Sequence, residues 1–245
     1  MMAFAFFSGI DSLLDAPLLF LQSLLYRVPA VLIAMVLHEW AHGYVAYRLG
    51  DPTAKLMGRL SLNPLHHLDP LGTVLLFLVG FGWAKPVPID PRNFRNKHRD
   101  DLLVSVAGIA MNLLLFLVFT VLYYLALRTA VSSGMLRLIF GTFYYAEGRS
   151  EVFEYVLTLL QYTATVSLSL AVFNLLPVPP LDGYHLFNDL FFKKNLFVSR
   201  AVARYGMAAV MLLSLTGVLG RALGVVVSGA QNAMDTLLMA VFFGA

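Results

Sequence analysis

The sequence predicts an all-α membrane protein, a polytopic bundle of four to six transmembrane helices with a short re-entrant β element. Three observations predict it. Of 245 residues, 59% are hydrophobic and 13% charged, against roughly 25% charged in soluble domains. Four long apolar segments each reach the about 20 residues needed to cross a bilayer. The Lys and Arg residues collect mainly between those segments, as topology markers do.

The elements follow in chain order. Residues 2–26 are apolar but interrupted by Asp11, Asp15 and Pro17, so they either cross or lie at the interface. The first span runs from Val28 to Gly50. Leu71 to Gly82 is too short to cross at about 1.5 Å per residue and reads as re-entrant. In Gly82-Trp-Ala-Lys-Pro-Val-Pro-Ile-Asp90, Pro86 and Pro88 strip donors from one edge, and Lys85, Val87 and Ile89 keep theirs on the other. That stretch is either an edge strand with one usable edge or a proline-stiffened turn. Further spans run from Leu102 to Leu127, Val152 to Leu176 and Tyr205 to Val227, and Asn232 to Phe243 reads as a half-span or interfacial helix. The loop from Arg128 to Ser150 leaves no room for another globular domain, so residues 1–245 are expected to form one membrane domain. No basic region precedes the first apolar run, so a removed signal peptide is not expected.

The basic residues divide twelve against five. Arg48, Lys55, Arg59, Lys85, Arg92, Arg95, Lys97 and Arg99 share a side with Lys193, Lys194, Arg200 and Arg204 if the second and third spans form a hairpin. That side is expected to be cytoplasmic. A net charge of +3 gives no nucleic-acid footprint, and the absence of cysteine excludes thiolate metal sites, disulfides and Cys nucleophiles.

His38-Glu39-Trp40-Ala41-His42 lies inside the first span. Histidines four apart share one helix face, and with the intervening Glu they match the two-His zinc motif of metalloproteases. His38 falls about ten residues, or roughly 15 Å, into its predicted helix. Ionisable groups at such depth are costly and point to function. The plainer reading is a set of hydrogen-bonded packing residues. A catalytic zinc needs a third protein ligand and an open position. The candidate is Asp182 in Asn174-Leu-Leu-Pro-Val-Pro-Pro-Leu-Asp182-Gly183, where Pro177, Pro179 and Pro180 unwind the helix. Read alone, Asp182-Gly183 is better taken as a turn with a capping Asp; paired with the intramembrane His-Glu-x-x-His, Asp182 reads as the ligand. His66, His67 and Asp69 read as an interfacial turn rather than a second metal site.

With both motifs in view, the chain resembles the site-2 proteases, intramembrane zinc metalloproteases. Asn174, Pro177, Pro179, Asp182 and Gly183 fall on that family's second signature. The likeness runs from about Tyr26 to Tyr205 and is closest to the compact bacterial and archaeal type without an inserted PDZ or CBS domain. It implies one Zn2+ per chain held by His38, His42 and Asp182, with Glu39 as general base. It also implies a prokaryotic inner or plasma membrane location and a substrate carrying a transmembrane helix. The family often has Gly-Pro-x-x-Asn, whereas here Gly108-Ile109-Ala110-Met111-Asn112 carries Ile109 for Pro. Asn112 and Asn174 are expected to hold substrate backbone or the developing oxyanion. Lys85, Val87 and Ile89 are expected to pair with an unwound substrate by strand addition. Two other classes fit the same residues: an intramembrane metal-ion transporter and a protein that binds membrane helices without cutting them.

Overall fold

The computed structural model describes residues 16–79, 82–139, 142–145, 150–192 and 200–244. The stretch before Ala16, and Lys193 and Lys194 of the second basic group, lie outside the described residues. Helix α1 spans Pro17–Arg48, α2 Pro70–Val79, α3 Lys97–Ser132, α4 Glu151–Asn174, α5 Asp182–Phe187, α6 Arg200–Leu215 and α7 Val218–Phe243. Strands β1 (Leu136–Ile139) and β2 (Thr142–Tyr145) form an antiparallel hairpin between α3 and α4. Helices α1, α3, α4 and α7 are long and apolar enough to cross a membrane, and the chain is an integral membrane protein.

Two span boundaries differ from those expected. The first helix begins at Pro17 rather than Val28. Proline suits a first helical position, where its missing N–H costs nothing, and Pro29 is carried inside the helix. The last expected span, Tyr205 to Val227, is cut at Thr216-Gly217, where Gly217 takes a left-handed φ of +71°. The long helix is therefore α7, and the stretch read as a half-span is its second half. The β element also moves. Residues 82–90 are extended and make one isolated bridge, Leu68 with Ala84, while the ladder lies in the 136–145 hairpin.

Helices α1, α3 and α4 pack on one another, and α7 lies against α3 and α4. Small residues let them approach: Ala30 and Ala34 of α1 are fully buried beside Val31 and Val166. Phe116, Ala164, Leu168 and Val227 join α3, α4 and α7. The outer face of α3 stays apolar, with Leu114, Leu117, Val118 and Leu122 exposed. Lipid solvates such a face as well as protein does, so close packing and polar contacts hold the bundle together.

One polar knot fixes the chain that leaves α1. Asp51 is fully buried. Its carboxylate accepts hydrogen bonds from the Thr53 N–H and hydroxyl, from the Asp90 N–H at 2.8 Å and from the Asn93 amide at 2.8 Å. Nearby, the Arg59 guanidinium donates to the carbonyls of Lys85 and Pro86 at 2.8 and 3.1 Å. Together these bonds tie the 85–93 strip to the end of α1. Burial alone would raise the Asp51 pKa, but the bonds from Thr53, Asp90 and Asn93 hold the carboxyl below its usual value.

Replacing Asp51 with Asn removes acceptor capacity from buried donors and is expected to cost about 1–3 kcal/mol. Because the folded pKa is depressed, the carboxylate stabilises above the unfolded pKa of about 3.9 and loses that effect as pH falls below it. Thermal melts in detergent should show Asp51→Asn less stable than wild type at pH 7, with the gap narrowing at about pH 3.

Candidate metal centre and active site

His38 and His42 project from adjacent turns of α1, both buried. Their Nε2 atoms lie 3.0 Å apart, and each is 3.3 Å from Oδ2 of Asp182. A tetrahedral zinc with bond lengths of 2.0–2.1 Å has ligand–ligand edges of about 3.3 Å. The three atoms therefore stand at the spacing of one face of that tetrahedron. Asp182 Oδ2 is buried and takes part in no hydrogen bond, its contacts being the two imidazole nitrogens at 3.3 Å. Among the described residues this is the one group of His, Asp or Glu whose donor atoms converge in this way.

The opposite ring nitrogens are held by α3. His42 Nδ1 donates to the Val104 carbonyl at 2.7 Å, which leaves Nε2 bare. The Asn112 amide lies 3.0 Å from His38 Nδ1, and its own Oδ1 is buried without a partner. Turning that amide over puts Oδ1 on Nδ1, where it accepts the Nδ1–H. That exchange leaves Nδ2 in the unpartnered position, and His38 Nε2 also faces the centre as a lone pair. Backbone or amide partners on the far nitrogen are what metal-binding histidines require. Between these contacts α3 carries Gly108. A Cβ there would lie 2.3 Å from His42 Nε2 and 2.6 Å from His38 Cε1, so only glycine lets the rings sit this close to the helix.

Asp182 is the first residue of α5, and α4 ends at Asn174. The proline-containing stretch between them is non-helical, as Pro177, Pro179 and Pro180 require. Glu39 lines the same cavity of about 590 Å³ as His38, His42 and Asp182. Its Oε2 accepts the Val87 N–H at 2.8 Å. Val87 can come this near α1 because Gly43 faces it; a Cβ at Gly43 would lie 3.1 Å from Val87 Cγ1.

The other expected site residues divide. Val87, Ile89 and Asn174 line the cavity, and the Asn174 amide donates to the Leu170 carbonyl at 3.0 Å. Lys85 is exposed, and its N–H donates to the His67 carbonyl at 2.9 Å. Asn112 is fully buried, with its amide 3.0 Å from His38 Nδ1. His67 is fully buried with Nε2 2.7 Å from the Ser61 carbonyl, and Asp69 accepts the Gly72 N–H at 2.8 Å at the start of α2. Both therefore serve the turn.

Sequence reasoning missed four side chains. Asp101 of α3 and His185 of α5 pair at 2.8 Å and line the cavity. His98 of α3 and Asp189 pair at 2.7 Å. Asp189 is pushed up to about 6, by burial first, while His98 opposes the rise and the neighbouring Asp101 carboxyl adds to it. Burial opposes a rise in His185, but the bond to Asp101 raises it above the ordinary histidine value. The available signal was spacing: His98, Asp101, Ser105, Gly108 and Asn112 recur at intervals of three and four, one polar or small face of an otherwise apolar helix.

Residues 26–215 match peptidase family M50. The chain is 36% identical to YwhC of Bacillus subtilis, named as a candidate zinc metalloprotease, over 89% of this chain and 92% of that protein. It is 28% identical to Rip2 of Mycolicibacterium smegmatis, which carries the same description, over 84% of this chain and 72% of that protein. Rip2 of Mycobacterium tuberculosis is 30% identical over 62% of this chain and 52% of its own length. No solved structure matches the chain. The family match across most of its length and the buried His-Glu-x-x-His facing Asp182 agree: the chain belongs to peptidase family M50, the site-2 protease family that its motifs resemble.

Proposed function

We propose that the chain is an intramembrane zinc metalloprotease that hydrolyses peptide bonds in or near the transmembrane segments of membrane proteins. One observation carries this reading: three donor atoms at tetrahedral edge spacing share a cavity with Glu39, and His38, Glu39 and His42 sit on a helix apolar enough to cross a membrane. His38 lies ten residues before Arg48, the last residue of α1, or roughly 15 Å from that end. In this reading the whole chain is one membrane domain.

His38, His42 and Asp182 would hold a single Zn2+, leaving the fourth position open. When bound, zinc polarises the scissile carbonyl and lowers the pKa of water toward neutrality. Glu39 acts as the general base. The Val87 N–H holds Oε2, so Oε1 is the oxygen that takes the water proton and passes it to the leaving amine nitrogen. Asn112 orients His38. Asn174, on the cavity wall, is available to the substrate backbone.

A helical substrate must unwind to expose its carbonyl, and the 85–89 strip is the proposed edge for the freed backbone. The Val87 N–H stays on Glu39 Oε2, so docking there exchanges only the bond from the Lys85 N–H to the His67 carbonyl and adds the Ile89 N–H. The cavity walls are mainly apolar, with Val31, Met35, Leu76, Val166 and Phe173 among them, which suits side chains from a membrane helix. The excess of basic residues near Arg48–Arg99 and Arg200–Arg204 puts the Arg48 end of α1 on the cytoplasmic side, and water would enter from there.

Three outcomes test the reading. Glu39→Gln should retain zinc but lower cleavage of a membrane-spanning reporter by about 10²–10⁴-fold; undiminished cleavage removes Glu39 from the base role. Asp182→Ala should reduce the zinc content of purified protein, measured by mass spectrometry, well below one per chain. Gly108→Ala should weaken zinc binding by about 10–100-fold through displaced imidazoles, read by chelator competition, while helical content by circular dichroism stays at the wild-type value.

A further inference from the structure

The His98–Asp189 and His185–Asp101 pairs lie outside the steps above, yet each holds a buried carboxylate, and Asp101 and His185 line the cavity. Asp101 and Asp189 are 5% and 4% exposed, and buried carboxylates are retained at considerable cost unless they are paired. Each pair joins α3 to the segment that begins with Asp182. His98 and Asp101 are three apart on α3. His185 is three residues after Asp182 on α5, hence on the same face.

The geometry of α5 gives these bonds their importance. With six residues, α5 is under two turns long, and it follows a non-helical stretch with little stiffness of its own. Leu181 is buried against Val210, which anchors one side. The opposite side meets α3 through His185 and Asp101 at 2.8 Å and, one turn further on, through Asp189 and His98 at 2.7 Å. The same face of α3 holds His42 through the Val104 carbonyl and His38 through Asn112. All three candidate ligands are thus referred to one helix.

We propose that Asp101 and His185 are positioning residues for the third ligand: their bond sets where Asp182 stands relative to His38 and His42, and so sets the affinity for zinc. The His98–Asp189 pair is the outer fastening of the same segment. This inference rests on Asp182 being a ligand. It assigns no contact between Asp101 or His185 and substrate.

The test is zinc affinity of the purified full-length chain in detergent, measured by chelator competition without any substrate. Asp101→Ala and His185→Ala should each raise the zinc Kd by about 10–100-fold, and the double variant should be no worse than the weaker-binding single one. Asp101→Ala introduced into Asp182→Ala should produce no further loss, because the residue acts through Asp182. Cooperative melting of the apo variants separates weakened binding from misfolding, and either single variant suffices if the other does not fold. An unchanged Kd in Asp101→Ala or His185→Ala overturns the proposal while leaving the ligand set intact. So does a loss that persists in full in the Asp182→Ala background. If Asp182→Ala itself binds zinc as wild type does, the ligand reading fails and this proposal fails with it.

Discussion

One face of α3 is the reference to which the whole centre is built. Along it, His98, Asp101, Val104, Gly108 and Asn112 meet, in turn, Asp189, His185, His42, both imidazoles together, and His38. The imidazoles come from α1 and the carboxylate from α5, which are far apart in sequence. Neither element alone fixes the donor atoms at 3.0–3.3 Å separation. A metal site tolerates errors of only about 0.2 Å in ligand distance, so a rigid common support is a physical requirement. A long helix packed between α1 and α4 meets it.

The membrane setting accounts for the division of labour along that helix. Its outer surface is leucine and valine facing lipid, and contributes no preferred orientation. Orientation comes from the inner stripe, where small residues permit close approach and polar ones provide directional bonds. The polar groups there are nearly all paired within the protein. Two buried oxygens at the centre, Asp182 Oδ2 and Asn112 Oδ1, have no hydrogen-bond partner; in the proposed reading Asp182 Oδ2 would be a metal ligand. A third buried atom, Asp189 Oδ2, lies in the pair of carboxyls beside His185, where two neighbouring anions disfavour full ionisation.

Much of this was readable in the chain. His38, Glu39 and His42 are a local pattern whose spacing alone sets a shared helix face, and Asp182 follows a proline run that must break its helix. The spans were readable because length and hydropathy are local too. What was not readable depended on contacts between distant segments. Nothing in the sequence reveals that the Asn112 amide faces His38 across 74 positions. The pairing of Asp101 and Asp189 carried no signal in the sequence, because their partners are 84 and 91 residues away. The 82–90 stretch had the alternation of a strand but finds a carboxylate and a guanidinium, rather than a neighbouring strand, for most of its bonds. The break at Gly217 was hidden by continuous hydrophobicity on both sides.

The bond from the Val87 N–H to Glu39 has a consequence for how this protein can vary. The group that holds Glu39, the base in the proposed mechanism, belongs to the main chain, so every amino acid except proline supplies it. Identity at position 87 is then free to follow the demands of the cavity wall. What must persist is the route of the backbone past Glu39, and that route is secured elsewhere, by the Asp51 knot and the Arg59 guanidinium. The position of Glu39 therefore depends in part on residues outside the cavity, and a comparison confined to the lining of the cavity would pass over them.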